Sequence, residues 1–192
     1  VYPVNPNEEE ILGLECYSSL KEAPKKTQLV VIAVPAEKVN SVLKECEDKK
    51  ANNVVIISSG FSESGEEGEK LEEELIETAK ELNIDILGPN SRGVINTENG
   101  LCASWPLVEK EGSISLVTQS GAIGASFASL AQNENIGISK LAMVGNRAKI
   151  NETDLLDYLG EDEETDVIAL YVEGMENGRE FIETAERVIE NK

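Results

Sequence analysis

Histidine is missing from all 192 residues, and with it go Ser-His and Cys-His nucleophile systems and imidazole metal ligands on this chain. Cysteine is scarce: Cys16, Cys46 and Cys102 are odd in number, widely spaced and form no CxxC pair. Neither a disulfide framework nor a zinc site is expected, no metal ligand set stands out, and the cytoplasm is the natural compartment. Aromatic residues make up only 4%, so Val, Ile, Leu and Ala must fill the core, which suits a buried parallel sheet flanked by helices. Basic residues are outnumbered 17 to 37, for a formal charge of −20. That balance opposes the phosphate neutralisation that nucleic-acid binding needs and disfavours an anionic membrane surface. A polyanionic cofactor would have to rely on local backbone dipoles. Most of the acidic excess reads as solvated helix face, a pattern also common in proteins kept soluble in high salt. No apolar run reaches membrane-spanning length, and VYPVNPNEEE is not a signal peptide.

What is present centres on GSISLVTQSGAIGASFASLA, residues 112–131. Residues 114–117 are a short apolar run of strand type, Thr118, Gln119, Ser120 and Gly121 form a small polar turn, and helical composition begins at Ala122. A helix starting on Ser and Gly leaves its first N–H groups free at the positive end of its dipole, where phosphate or carboxylate can be held. Small residues at such a turn also let a helix pack close to its sheet, so two readings stay open.

In chain order, residues 1–5 read as a strand broken at Pro6, and residues 29–34 (LVVIAV) as a buried strand ended by Pro35. Pro35 suits the first turn of a helix with Val39, Val42, Leu43 and Cys46 on one face. Residues 53–58 (NVVIIS) form a second buried strand, followed by a Gly- and Ser-rich loop and an acidic helix facing inward through Leu71, Leu75, Ile76, Ala79 and Leu82. Residues 85–87 are a short strand ending at Gly88, Pro89 and Asn90. This alternation predicts right-handed βαβ units with ligands at the carboxyl ends of the strands, although those ends also read as ordinary βα turns.

Residues 91–111 are turn-rich, and a domain boundary is expected near 109–112. The second domain has strands at 114–117, 140–144 and 166–172, the last of them read as buried, and a helix over 122–132. Asn151 with Asp154 marks a helix N-cap before LLDYL, where Leu155, Leu156 and Leu159 face inward. A closing helix has Phe181, Ile182, Ala185, Val188 and Ile189 on its inner face. The fold class is α/β with two parallel-sheet domains, 1–110 and 111–192.

The motif order VNP, VPA, IISSGF, LGPNSRGVIN, LVTQSGAIG, MVGNRAKINETDLLDYL and ALYVEG resembles the NDP-forming acyl-CoA synthetases, or ADP-forming acetate–CoA ligases, relatives of the succinyl-CoA synthetase α subunit. The resemblance covers essentially the whole chain. It implies an incomplete Rossmann-like CoA-binding domain followed by an incomplete flavodoxin-like ligase domain. The implied reaction interconverts acyl-CoA, ADP and phosphate with the free acid, CoA and ATP, through an acyl phosphate and a phosphohistidine. The implied cofactors are coenzyme A and phosphate, with ATP or ADP and Mg2+ held by an ATP-grasp partner domain or β subunit. The implied substrate is a small carboxylic acid or its acyl-CoA, and the full enzyme is implied to be an oligomer.

Carried over by residue, the resemblance places Val4 and Pro6 at CoA, Val34 and Pro35 beside its adenosine part, and Ser58, Ser59, Gly60 and Phe61 in the next CoA-lining loop. It puts Pro89 and Asn90 near the reactive thiol end. Gln119, Ser120, Gly121 and Ala122 match the phosphate-holding helix N-terminus, and Glu173 matches the catalytic glutamate that hydrogen-bonds the phosphorylated histidine. A carboxylate on the second ring nitrogen fixes the tautomer and stabilises the cationic ring.

Departures from the family pattern bear on activity. The family's first strand and Gly-rich phosphate loop should precede Val1, and its histidine should follow the last helix, so the chain is expected to be truncated at both ends and inactive alone. Asn7 and Glu8 replace a basic residue often found after VNP, and Ser91 with Arg92 stands where succinyl-CoA synthetase has Cys and Pro, so no thiol role transfers. Two alternatives are a stand-alone CoA-binding or subunit-interaction module without catalysis, and a generic flavodoxin-like domain.

Overall fold

The computed structural model describes residues 1–24, 27–105 and 108–192. Its chain divides into two compact units, Val1–Ile86 and Leu87–Lys192.

The first unit begins not with a strand but with one isolated parallel bridge, Val4 to Tyr17. Asn5 N–H donates to the Tyr17 carbonyl at 2.9 Å and Tyr17 N–H to the Pro3 carbonyl at 3.0 Å. Pro3 and Pro6 have no N–H with which to extend that pairing. The sequence reading also missed a small antiparallel hairpin, β1 (Glu10–Ile11) and β2 (Leu14–Glu15). Its two connecting residues, Leu12 and Gly13, both have positive φ, the geometry that matches the twist of a two-residue hairpin.

The expected βα alternation follows: β3 (Val30–Ile32), α1 (Ala36–Lys49), β4 (Asn53–Ile56), α2 (Glu66–Glu81) and β5 (Asp85–Leu87). The sheet order is β3-β4-β5, with β3 and β4 parallel. Val39, Leu43 and Cys46 of α1 and Leu75 and Ala79 of α2 pack with Ile32, Val54, Ile56 and Ile86 into one core. β4 is buried on both faces as its apolar run implied. β3 is not: it lies at the sheet edge, and Val31 is 43% exposed.

The second unit contains β6 (Gly93–Asn96), β7 (Leu101–Ser104), β8 (Glu111–Thr118), α3 (Gly121–Asn133), β9 (Ile138–Met143), α4 (Glu152–Glu161), β10 (Val167–Tyr171) and α5 (Gly178–Asn191). Its strands run in the order β10-β8-β9-β6-β7. β10, β8 and β9 are parallel, while β6 and β7 add an antiparallel hairpin against β9. Residues 93–104, read as turn-rich, are that hairpin. Gly93 permits the close pairing, since it has φ +91° and a Cβ there would lie 1.9 Å from the Ala103 carbonyl oxygen.

α3 lies close on the sheet for a related reason: a Cβ on Gly124 would fall 2.5 Å from Met143 Sδ and 3.2 Å from Thr118 Cγ2. The helix starting at Asn151 carries the expected capping box. Asn151 Oδ1 accepts from Thr153 and Asp154 N–H, and Asp154 Oδ2 accepts from Asn151 N–H.

Two expectations fail here. β10, read as buried, is an edge strand among the described residues, with Val167 52% exposed. In α5, Val188 is buried as expected, but Ile182 and Ile189 are exposed and Thr184 is buried in their place. Val188 occupies the space left by Gly160 of α4, where a Cβ would lie 2.5 Å from Val188 Cγ2.

Opposite the turns that follow the parallel strands, Lys140 Nζ meets Asp162 Oδ2 at 2.7 Å, with side chains 10% and 11% exposed. Ser115 Oγ and Thr165 Oγ1 lie 2.7 Å apart beside it. Among the described residues no helix is long and apolar enough to cross a membrane.

Candidate functional site

In the first unit, the candidate residues lie on the turns that follow the strands. Ser58 Oγ donates to the Val34 carbonyl at 2.5 Å, and a Cβ on Gly60, whose φ is +104°, would sit 3.2 Å from Ala36 Cβ. The turns carrying Val34, Pro35, Ser58, Ser59 and Gly60 are therefore fastened side by side. Phe61 faces the other way, 1% exposed within the core, so its side chain serves packing. The loop's own N–H groups have a resident acceptor: Glu63 Oε1 takes Gly60 N–H at 2.6 Å and Phe61 N–H at 3.2 Å, while Glu72 Oε2 takes Ser62 N–H at 3.1 Å. A ligand here meets hydroxyls, carbonyls and a glycine surface, with the Gly60, Phe61 and Ser62 N–H groups already taken. Val4 and Pro6 are exposed on the segment bridged to Tyr17.

The second unit gathers its candidates at the carboxyl ends of β8 and β10, where ligands of parallel α/β sheets bind. Thr118, fully buried, closes the turn: its hydroxyl accepts from Ser120 N–H and donates to the Ser120 carbonyl, both at 3.0 Å. Ser120 is the N-cap of α3, its Oγ accepting from Ile123 N–H at 3.4 Å. The first intrahelical bond runs from Gly124 N–H to the Ser120 carbonyl at 3.1 Å, so the N–H groups of Gly121 and Ala122 precede the helical ladder. Of the two readings left open for this turn, Gly124 shows the close packing, and the helix start also leaves N–H donors at the positive end of the dipole.

Gln119 joins this turn to the end of β10. Its N–H donates to the Tyr171 carbonyl at 3.1 Å and its Nε2 to the Gly174 carbonyl at 2.7 Å. Its Oε1 accepts from Glu173 N–H at 2.7 Å and Gly174 N–H at 3.1 Å. Glu173, exposed as a side chain, is thereby anchored through its backbone.

Three residues here were missed. Arg147 Nη1 donates to the Gly174 carbonyl at 2.8 Å and to Glu152 Oε1 at 3.4 Å. Glu152, whose side chain is 4% exposed, has no hydrogen-bond partner for Oε2 among the described residues. In the sequence it reads as ordinary first-turn acidity, and no local signal separates it from exposed Asp154. Arg92 lies against the start of α3, where a Cβ on Gly121 would fall 2.6 Å from its Cγ and Cδ, and its guanidinium sits 5.2 Å from the Trp105 ring centroid. Pro89 and Asn90 are tied to the same side: the Pro89 carbonyl accepts from Asn146 N–H at 2.9 Å, and Asn90 Nδ2 donates to Asn146 Oδ1 at 3.3 Å.

A separate cleft of about 460 Å³ is lined in part by Glu98, Glu111, Glu163, Glu164 and Asp166. Five carboxylates repel phosphate, so this cleft is not an anion site. Among the described residues no group of acidic or thiol side chains is placed to hold a metal ion.

Comparison with known proteins bears on both units. The family model described as CoA binding domain matches residues 1–97, and that described as succinyl-CoA ligase like flavodoxin domain matches residues 111–192. The ADP-forming acetate–CoA ligase II subunit alpha of Pyrococcus furiosus is 44% identical over the full chain, which spans 42% of that subunit. A crystal structure of PH0766 from Pyrococcus horikoshii superposes with a TM-score of 0.96 at 43% identity, covering all of this chain and 44% of that one. The dinucleotide-forming acetyl-coenzyme A synthetase 1 of Candidatus Korarchaeum cryptofilum, in complex with phosphate and ADP, gives a TM-score of 0.91 at 39% identity, covering 97% of this chain and 40% of that one.

Proposed function

The chain belongs to the NDP-forming acyl-CoA synthetase family, and on that premise we propose that it is the CoA-binding and phosphate-handling part of an ADP-forming acyl-CoA ligase. The reaction proposed interconverts acyl-CoA, ADP and phosphate with a small carboxylic acid, CoA and ATP, by way of an acyl phosphate and a phosphohistidine. ATP or ADP with Mg2+ is assigned to an ATP-grasp domain or β subunit, within a cytoplasmic oligomer. This chain has no histidine, so it does not turn over alone.

The observation that carries this reading is the Gln119 bridge. It fixes the Glu173–Gly174 turn to the residue preceding the N-cap of α3. A helix start with N–H groups ahead of its ladder and a carboxylate thus share one end of one sheet, which suits a phosphorylated imidazole: donors for phosphoryl oxygens, and an acceptor for the far ring nitrogen. Ser120, Gly121 and Ala122 hold the phosphoryl group in this reading, with Glu173 orienting the ring.

The first unit's turns fit the uncharged stretch of CoA. Gly60 leaves the backbone open beside Ala36, and Glu63 already occupies the Gly60 and Phe61 N–H groups where a phosphate would otherwise sit. CoA, when bound, supplies the thiol that accepts the acyl group. Val4, Pro6, Val34, Pro35, Ser58, Ser59 and Gly60 are the residues proposed to hold it, with Pro89 and Asn90 toward the thiol.

Titration calorimetry tests this. Saturable CoA binding that Gly60→Val abolishes is expected, and heat unaffected by that change removes the 58–60 turn from the site. A second reading, a stand-alone CoA-binding or subunit-interaction module, draws on the missing histidine. The intact mass of the native gene product separates the two: well above 20.8 kDa for a ligase part, and 20.8 kDa for a stand-alone module.

A further inference from the structure

Glu173 is a surface glutamate, and free rotamers would blur its aim. What is fixed is its backbone. The Gly174 carbonyl receives two side-chain donors, Gln119 Nε2 at 2.7 Å and Arg147 Nη1 at 2.8 Å, while Gln119 Oε1 holds the N–H groups of both Glu173 and Gly174. The turn is gripped on its carbonyl and its N–H groups together.

Arg147 is itself braced. Its Nη1 meets Glu152 Oε1 at 3.4 Å, and it occupies a left-handed backbone position, φ 63°, just after Gly145. Gly145 admits the Pro89 carbonyl, which would lie 2.2 Å from a Cβ there. Glu152 is almost wholly buried and has no hydrogen-bond partner on Oε2 among the described residues. Burying a half-satisfied carboxylate is unfavourable. The needs of α4 do not call for it, since the Asn151–Asp154 box already caps that helix.

We propose that Arg147, braced by Glu152, and Gln119 are positioning residues that lock the Glu173–Gly174 turn and so present the Glu173 carboxylate at the start of α3. The role rests on the reading that Glu173 meets the phosphorylated imidazole. Arginine suits the task because one planar guanidinium can donate to a carbonyl and a carboxylate at once. The gain is a pre-set origin for the acceptor: the backbone that carries the carboxylate need not be ordered when the ring arrives.

The test is residue-resolved amide hydrogen exchange on this chain, comparing wild type with Arg147→Met, Arg147→Lys, Glu152→Gln and Gln119→Ala. Met keeps the aliphatic stem and removes the donors, whereas Lys restores a donor. Exchange at Glu173 and Gly174 is expected to quicken about three- to tenfold in Arg147→Met and Glu152→Gln, the scale of one lost hydrogen bond, and to recover in Arg147→Lys. Gln119→Ala, which removes the acceptor itself, sets the full range. Unchanged exchange in Arg147→Met overturns the proposal. So does acceleration spread evenly over β8 and β9, or a failure of Arg147→Lys to recover, since either marks a merely structural residue. The readout needs no phosphoryl chemistry. A turn held by Arg147 in a chain that ignores phosphate at α3 overturns the functional reading instead.

Discussion

Gly68→Ala is the sharpest test of how the first unit holds its candidate CoA-binding turn. Gly68 lies in the first turn of α2, and a Cβ there would fall 1.9 Å from the Phe61 carbonyl oxygen, 2.5 Å from the Phe61 carbonyl carbon and 3.1 Å from the Gly60 oxygen. Ordinary contact begins at 3.4 Å, so the helix and the loop must part by 3.4 less 1.9, or 1.5 Å. The obstacle is backbone, and no rotamer change removes it. The same oxygen accepts from Ser64 N–H at 2.7 Å, and Phe61 is anchored in the core. Overpacking of this kind destabilises by about 1–3 kcal/mol, and the disturbed hydrogen bond adds about 1 kcal/mol. Replacing a helical glycine by alanine returns about 1 kcal/mol. The net is about 2 kcal/mol, which for a unit of this size lowers the melting temperature by about 8–16 °C. Calorimetric melting of Gly68→Ala beside an exposed-site control, Glu69→Ala, measures it. A CoA titration of the same variant is expected to show weakened binding, because the 58–61 turn is what gives way. Melting within about 2 °C of wild type would refute the packing argument.

Three further outcomes follow from the structure. Burial pushes the Asp162 carboxyl up, but hydrogen bonds from Lys140 and Thr165 and the charges of Lys140 and Lys192 outweigh it and leave it below its ordinary value. A folded value below the unfolded value of about 3.9 means that this stabilisation is complete above about pH 4 and lost as pH falls through the folded value. Asp162→Asn, which leaves Lys140 without its 2.7 Å partner, is expected to destabilise by roughly 3 kcal/mol at pH 7 and to flatten the acid limb in denaturant titrations. Burial, with Glu45 adding to it, pushes the Cys46 thiol up to about 11; a disulfide reagent at pH 8 is expected to label exposed Cys102 promptly and Cys46 only on unfolding. Gly124→Val is expected to destabilise by about 1–3 kcal/mol through Met143 and Thr118, read by thermal melting.

The sequence was most legible where one local rule acts alone. The Ser120 cap, the Asn151–Asp154 box and the doubly buried β4 each follow from a few neighbouring residues. It was least legible where partners lie far apart. Nothing in SRGVINTENGLCASW alternates, so β6 and β7 declare themselves only through pairing with each other and with β9. The apolar stripe of α5 was assigned its inner face by periodicity, yet Gly160 on α4 selects Val188 and leaves Ile182 and Ile189 outside. In the candidate site, the motif residues Gln119 and Ser120 stand where expected. Glu152 could not be told from any other first-turn acid, because its charged partner, Arg147, lies five residues earlier on a separate turn. Phe61 shows the converse: it belongs to a motif, but packing in the core claims its side chain.

Amide hydrogen exchange across α3, with and without inorganic phosphate, tests most directly that this chain handles a phosphoryl group at the turn after β8. Slowed exchange at Gly121, Ala122 and Ile123 on saturation with phosphate, lost in Ser120→Pro and absent at the other helix starts, is the expected result. Exchange at those amides that ignores phosphate would contradict it, and would leave the close packing of Gly124 as the whole reason for the small residues there.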